Sequence, residues 1–208
     1  MKKVVVSIVV ILIVVVLAAF NYRNSSNETG LNIGDKVPNL AQKLSTLNGK
    51  DKMLREFNKP NGLLVVFTCN TCPFVVAWED RYNQIADLCE QNNIGMVLVN
   101  SNEALRGKED SPEEMKKHAA ELNYKAPYVI DNKHVMADAF GAKTTPHIYL
   151  FNSQMELFYK GAIDDNYKNA KSVKSNYLKD AITAMTGGEE LETRETKAVG
   201  CSIKRLKS

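Results

Sequence analysis

Gly62-Leu63-Leu64-Val65-Val66-Phe67-Thr68-Cys69-Asn70-Thr71-Cys72-Pro73 is the stretch that decides the fold. Its unbroken apolar run predicts a strand covered on both faces, as in a parallel sheet. A C-x-x-C follows at once, and Pro73 stands where a helix can begin. From Phe74 to Gln91, apolar residues recur at Phe74, Trp78, Tyr82, Ile85 and Cys89, the spacing of one helical face. The thiolate, not the thiol, attacks disulfides, and unpaired N–H groups at a helix start stabilise an anion there. The spacing predicts that anion at Cys69, with Cys72 one turn later to resolve a mixed disulfide. The competing reading is half of a zinc site, which needs two further ligands. The chain holds no second C-x-x-C and no H-x-x-x-H, and His118 and His134 fall in predicted helices far along the sequence.

Downstream, Ile94 to Val99 predicts a second buried strand. Pro112 to Asn123 predicts a helix capped by Ser111, with Pro112 at its first position and Glu114 completing the start signal. Tyr128 to Ile130 reads as a strand, and Asn132 to Phe140 as a short helix ended by Gly141. His147 to Phe151 and Glu156 to Tyr159 read as a hairpin joined by Asn152-Ser153. Val173 to Met185 reads as a last helix stopped at Gly187-Gly188, and Gly34 to Phe57 as a short hairpin or irregular cover. Helices alternating with buried strands make this an α/β chain with a mixed sheet.

Thr144-Thr145-Pro146 precedes the hairpin, and by itself Pro146 is equally an ordinary strand-edge proline or a cis turn. In combination, the motifs resemble the thioredoxin superfamily, and more narrowly the peroxiredoxin-like branch of redoxin-domain proteins. The residues that carry the resemblance are Val66 to Pro73, Asn100-Ser101-Asn102, Ala126-Pro127-Tyr128, Thr145-Pro146, Gly161 to Asn166 and Gly200 to Lys204. It spans about Ile33 to Lys204. The resemblance implies a thioredoxin fold, a redox pair at Cys69 and Cys72, and a cis Pro146 beside them. It further implies that Thr145, Pro146 and Pro73 shape the site for an extended substrate segment, with Thr145 offering backbone hydrogen bonds. It implies no cofactor and no metal.

Members of the branch often carry a His inside the C-x-x-C, where this chain has Asn70-Thr71. Without an imidazolium to hold the thiolate, the expectation is a more reducing pair. Thioredoxins also carry a buried acid six residues before the first cysteine, and Leu63 stands there. Glu79 is near the helical face of Cys72 but reads as a solvated side chain. In the peroxiredoxin T-x-x-C pattern Cys72 would be the peroxide-reactive residue and Cys69 would replace the Thr. No Arg lies between Arg106 and Arg194 to polarise a peroxide, so peroxidase activity ranks second.

Outside the motif, Val4 to Phe20 runs 17 positions without a charge behind Lys2 and Lys3. As a helix it would reach roughly 25 Å, near the lower limit for crossing a bilayer. It reads as an uncleaved membrane anchor or a cleaved signal, with the rest of the chain facing outward, periplasmic or extracellular. The organisation expected is a membrane segment over 1–20, a polar linker over 21–32, a redoxin domain over 33–190 and a charged tail over 191–208. Of the 208 residues 44% are hydrophobic and 25% charged, which excludes a disordered or fibrous chain. Leaving out Lys2 and Lys3, 25 basic residues face 24 acidic ones, so there is no basic footprint for nucleic acid.

Four cysteines are too few for a disulfide scaffold. Cys89 shares its helical face with Trp78, Tyr82 and Ile85 and reads as core. Cys201, in the charged tail, is a third redox cysteine, an interchain bridge or inert. His147 reads as a strand residue that could otherwise reach thiols or a metal, and Asp164-Asp165-Asn166 as a turn or cap rather than a substrate contact. The reading is an extracytoplasmic thiol–disulfide oxidoreductase acting on protein or small-molecule disulfides and thiols, together with a redox partner protein. A copper or zinc carrier is the third alternative.

Overall fold

The computed structural model describes residues 30–206. The expected membrane segment and most of the linker lie outside them, and no helix among the described residues is long and apolar enough to cross a membrane. Leu31 and Asn32, placed by the sequence in the linker, belong to the domain. Leu31 is buried and its N–H donates to the Phe140 carbonyl at 3.2 Å.

The chain forms β1 (Lys43–Thr46), β2 (Asp51–Met53), β3 (Leu63–Thr68), α1 (Pro73–Trp78), α2 (Tyr82–Gln91) and β4 (Gly95–Asn100). There follow α3 (Pro112–Glu121), β5 (Tyr128–Ile130), α4 (Val135–Phe140), β6 (Thr144–Thr145), β7 (His147–Phe151), β8 (Leu157–Gly161), α5 (Tyr177–Gly187) and β9 (Cys201–Ser202). Seven strands make one mixed sheet in the order β2-β1-β5-β4-β3-β7-β8, while β6 and β9 pair separately. At its centre β3 runs parallel to β4 and antiparallel to β7. All six residues of β3 are buried, as a central strand covered on both faces requires.

The period of two in β3 sorts the core. Leu64 and Val66 face a cluster with Trp78, Tyr82, Ile85, Cys89 and Met115. Leu63, Val65 and Phe67 face the other layer, with Leu44, Leu54, Met136 and Phe140. Both layers hold β3 rigidly, so its C-terminal end is a fixed platform for the C-x-x-C loop.

Three local expectations are corrected and a fourth is met. The single helix over 74–91 is interrupted by a 3-10 turn at Glu79–Arg81. The hairpin loop runs from Asn152 to Glu156, where the Asn152 side chain accepts from the N–H groups of Gln154 and Glu156. The last helix starts at Tyr177, because the N–H of Lys174 is drawn to Asp165 and the Ser175 carbonyl to the Asp165 N–H. The hairpin expected near Gly34–Phe57 is present, and its β1 joins the main sheet through antiparallel pairing with β5.

Candidate active site

At the end of β3 the chain turns through Cys69-Asn70-Thr71 and enters α1 at Pro73, the first helical residue, with Cys72 as N-cap. Proline suits this position because its missing N–H would have had no partner there. Both thiols are buried, and together with Val75 they form a small cluster that Phe74 and Cys201 pack against. No disulfide links them.

The Thr145–Pro146 peptide bond is cis and lies directly beside the pair. Thr145 touches both cysteines: its hydroxyl is 3.3 Å from Cys69 Sγ, and its carbonyl accepts from the Cys72 thiol at 3.2 Å. Cys69, Cys72, Pro73, Thr145, Pro146 and Cys201 are thus gathered in one place.

The hydrogen bonds around the pair favour the anion at Cys72, whereas the sequence spacing predicts it at Cys69. A hydrogen bond from the Cys69 thiol, then one from Cys201, then the backbone N–H groups of Val75 and Cys201, outweigh burial and lower Cys72 to about 4. That same bond to Cys72, burial and the negative charge of Asp110 push the Cys69 thiol well up. The anion-stabilising groups at the helix start therefore serve the second cysteine, because Cys72 is the cap residue and Cys69 lies a step outside it.

Asp110, which the sequence reading did not single out, holds the loop between the cysteines. Fully buried, its carboxylate accepts from the Asn70 N–H at 2.9 Å and from the side-chain amides of Asn100 at 2.7 Å and Asn102 at 2.9 Å. Asn70 is further tied to the Glu109 carbonyl and accepts from the Tyr128 hydroxyl. The signal was present in Asn100-Ser101-Asn102 and in Tyr128. Asp110 itself looked like one more charge in a loop.

Other residues fall elsewhere. Glu79 is not solvated: it accepts from His118 Nε2 at 3.0 Å and Tyr124 at 3.2 Å. Asp164 accepts from Trp78 Nε1 at 2.9 Å, faces Arg81 Nε at 3.3 Å and caps Asn166, so that acidic stretch anchors the first helix from below. Cys89 is core, and burial raises its thiol to about 12. His147 pairs with the Tyr149 hydroxyl at 3.3 Å. Among the described residues no cluster of His, Cys, Asp and Glu could hold a metal ion.

The groove edge expected to receive an extended substrate is already paired. β9 lies antiparallel to β6, with Cys201 opposite Thr145 and Ser202 opposite Thr144. A separate cleft of about 560 Å³ opens beside the loop, lined by Asn70, Thr71, Lys108, Glu114, Lys117 and His118.

A mixed sheet carrying a C-x-x-C at the end of its central strand, opposite a cis proline, defines a thioredoxin-fold thiol protein. Residues 33–160 match the AhpC/TSA family, and the chain belongs to that family. An uncharacterized conserved protein from Geobacillus kaustophilus is similar over 88% of this chain and 95% of its own, at 31% identity and TM-score 0.78. Peroxidoxin BcpB from Mycobacterium tuberculosis shares the fold at 12% identity and TM-score 0.59, over 77% of this chain and 99% of its own. A putative thiol:disulfide interchange protein DsbE from Chlorobium tepidum does so at 18% identity and TM-score 0.61, over 76% and 100%. Comparison with curated proteins gives no match.

Proposed function

We propose that the chain is a thiol–disulfide oxidoreductase whose redox pair is Cys69 and Cys72. The observation that carries this reading is Thr145, next to the cis Pro146, in contact with both thiols at 3.3 and 3.2 Å. Two thiols held against one residue, with hydrogen bonds that lower one and raise the other, suit the two roles that exchange needs. Cys72 thiolate attacks a substrate disulfide and forms a mixed disulfide, releasing one substrate thiolate. Cys69 then attacks Cys72 Sγ, its proton passing to the second substrate thiolate as it leaves. Substrate is oxidant in this direction, and a reduced partner protein restores the two thiols by the reverse steps. Thr145, Pro146 and Pro73 hold the geometry. Residues 4–20 tether the domain to a membrane with the site facing outward, periplasmic or extracellular, a reading supported by the apolar run and by the paired lysines before it.

The test is reduction of a protein disulfide by dithiothreitol in the presence of catalytic amounts of the full chain. Acceleration lost in both Cys69→Ser and Cys72→Ser supports the reading. Equal rates with and without the chain would reject it.

A thiol peroxidase is the second reading, favoured by the thiolate on Cys72, the residue that fits the T-x-x-C position. Against it, three of the described arginines are engaged elsewhere: Arg81 with Asp164 and Asn166, Arg106 with Asn100 and Asp110, Arg205 with Asp138. Consumption of hydrogen peroxide by Cys69→Ser, with a sulfenic acid on Cys72, would establish it.

A further inference from the structure

The expected charged tail is bonded to the domain along much of its length. The Thr196 N–H donates to the Lys160 carbonyl at 3.0 Å, and the Lys160 N–H to the Arg194 carbonyl at 3.1 Å. Beyond that the chain crosses the cysteine site. Ile203 is buried and its N–H reaches the Lys143 carbonyl at 3.0 Å. Lys204 donates from its N–H to Asn102 Oδ1 at 2.8 Å and accepts from Ala104 at 2.9 Å, while Arg205 Nε reaches Asp138 at 2.7 Å. Asn102 is itself bonded to Asp110, so the tail and the C-x-x-C loop are pinned to the same buried carboxylate network.

Gly200 makes this crossing sterically feasible. A Cβ there would lie 2.1 Å from the Thr145 carbonyl oxygen, so the tail backbone approaches closer than any side chain permits. The next residue, Cys201, is placed opposite Thr145, the residue that both thiols contact. It packs against Cys69, Cys72 and Val75 while staying only partly buried. Three cysteines from three separate parts of the fold (strand end, helix cap and tail) therefore share one site.

We infer that Cys201 is a resolving thiol of this site, closing an intrachain disulfide with Cys72 after Cys72 has captured a substrate sulfur. The inference rests on the thiol–disulfide reading above. In the step, the Cys201 sulfur attacks Cys72 Sγ and forms the Cys72–Cys201 bond. The Cys72–substrate bond breaks, and the substrate leaves as a thiolate that takes up the Cys201 proton. Each of the two exchanges oxidises one protein sulfur as it reduces one substrate sulfur, so the substrate disulfide is the oxidant throughout and no further oxidant is needed. Burial and then the neighbouring Cys72 thiolate hold the Cys201 thiol up at about 11 in the reduced protein. Capture of a substrate sulfur removes the Cys72 charge, and with it that part of the upward push, at the moment the Cys201 nucleophile is required.

The experiment uses the full chain, oxidised glutathione as the probe, acid quenching and disulfide mapping by mass. In Cys69→Ser, the glutathione adduct on Cys72 is expected to decay to an intrachain Cys72–Cys201 disulfide. In Cys69→Ser/Cys201→Ser it should persist, decaying roughly tenfold more slowly or worse. In the parent, rapid quenching should trap Cys72–Cys201 alongside Cys69–Cys72. An adduct equally persistent in both variants, with the parent yielding only Cys69–Cys72, would overturn this inference and leave the exchange reading standing. Failure of the parent itself to react with glutathione disulfide would overturn both.

Discussion

The Cys72 thiol and the Thr145 carbonyl oxygen stand 3.2 Å apart, so in the fully protonated site the Cys72 proton has an acceptor. On ionisation that bond is given up, and the hydrogen bonds from Cys69, Cys201 and the N–H of Val75 take over. The account therefore predicts that alkylation of Cys72 by iodoacetamide reaches its plateau at acidic pH, with an inflection near 4, whereas an ordinary thiol reaches it above about 8.5. Cys72→Ser should remove the fast phase. An inflection in the ordinary thiol range would show that the carbonyl keeps the proton.

Asp110→Asn tests the loop anchor. It keeps the shape but puts an amide against donors from Asn70, Asn100 and Asn102. Loss of about 1–3 kcal/mol of stability is expected from urea unfolding. Because the Asp110 charge contributes to raising Cys69, the variant should also ionise its second thiol at lower pH, read by thiolate absorbance. Unchanged titration would remove Asp110 from the electrostatics of the site.

Asp164→Ala should be among the more damaging single changes outside the cysteines. It leaves Trp78 Nε1 without its acceptor and the buried Arg81 guanidinium with only the exposed Asp80 carboxylate, 3.8 Å away. Removing one partner of a buried pair costs about 3–5 kcal/mol, or on the order of 10 °C in Tm for a domain this size. A Tm within about 2 °C of the parent would contradict the role given to Asp164.

His147 makes stability depend on pH. Burial, with the Lys160 charge added, lowers it from 6.5 to about 4. Between those values the unfolded chain binds a proton that the folded chain refuses. Stability is thus full above about 6.5 and declines as pH falls toward 4, by up to about 3 kcal/mol. Urea midpoints for His147→Gln should fall less steeply over that window. An identical slope in parent and variant would assign the acid sensitivity to other groups.

Gly200→Ala should lift the tail off β6, since the new Cβ meets backbone at Thr145 and Pro146. Alkylation of Cys201 should then speed up roughly tenfold, with a loss of about 1–3 kcal/mol of stability from urea unfolding as buried Ile203 loosens. An unchanged alkylation rate would mean that the tail does not shield Cys201.

Much of the fold was legible where local pattern and burial agree. β5 is found at Tyr128–Ile130 as read, the Ser111 side chain accepts from Glu114 N–H, and Gly141 ends α4 in the left-handed conformation. The features that escaped depend on partners distant in sequence. The 3-10 turn at Glu79–Arg81 faces Glu79 toward His118 and Tyr124 and Arg81 toward Asp164, and helical periodicity is blind to both. The docked tail was legible only as one of three alternatives for Cys201, because its seat depends on Gly200 meeting Thr145, a partner distant in sequence. The C-x-x-C and the cis proline were legible, but the hydrogen bonds that favour an anion at Cys72 were not. These depend on which residue caps α1, a matter of one turn of backbone. They also bear on redox poise, since hydrogen bonds stabilising a thiolate act as the missing imidazolium would and oppose the reducing character expected from Asn70-Thr71.

The most direct test of the account is to trap the mixed disulfide. Reduced Cys69→Ser/Cys201→Ser chain, left with Cys72 as its reactive thiol, is mixed with a protein disulfide, quenched in acid and mapped by mass. The account predicts a stable covalent complex through Cys72, absent when Cys72→Ser is added. No complex with the protein disulfide, together with rapid conversion of Cys72 to a sulfenic acid by stoichiometric hydrogen peroxide, would contradict it and make the chain a peroxidase.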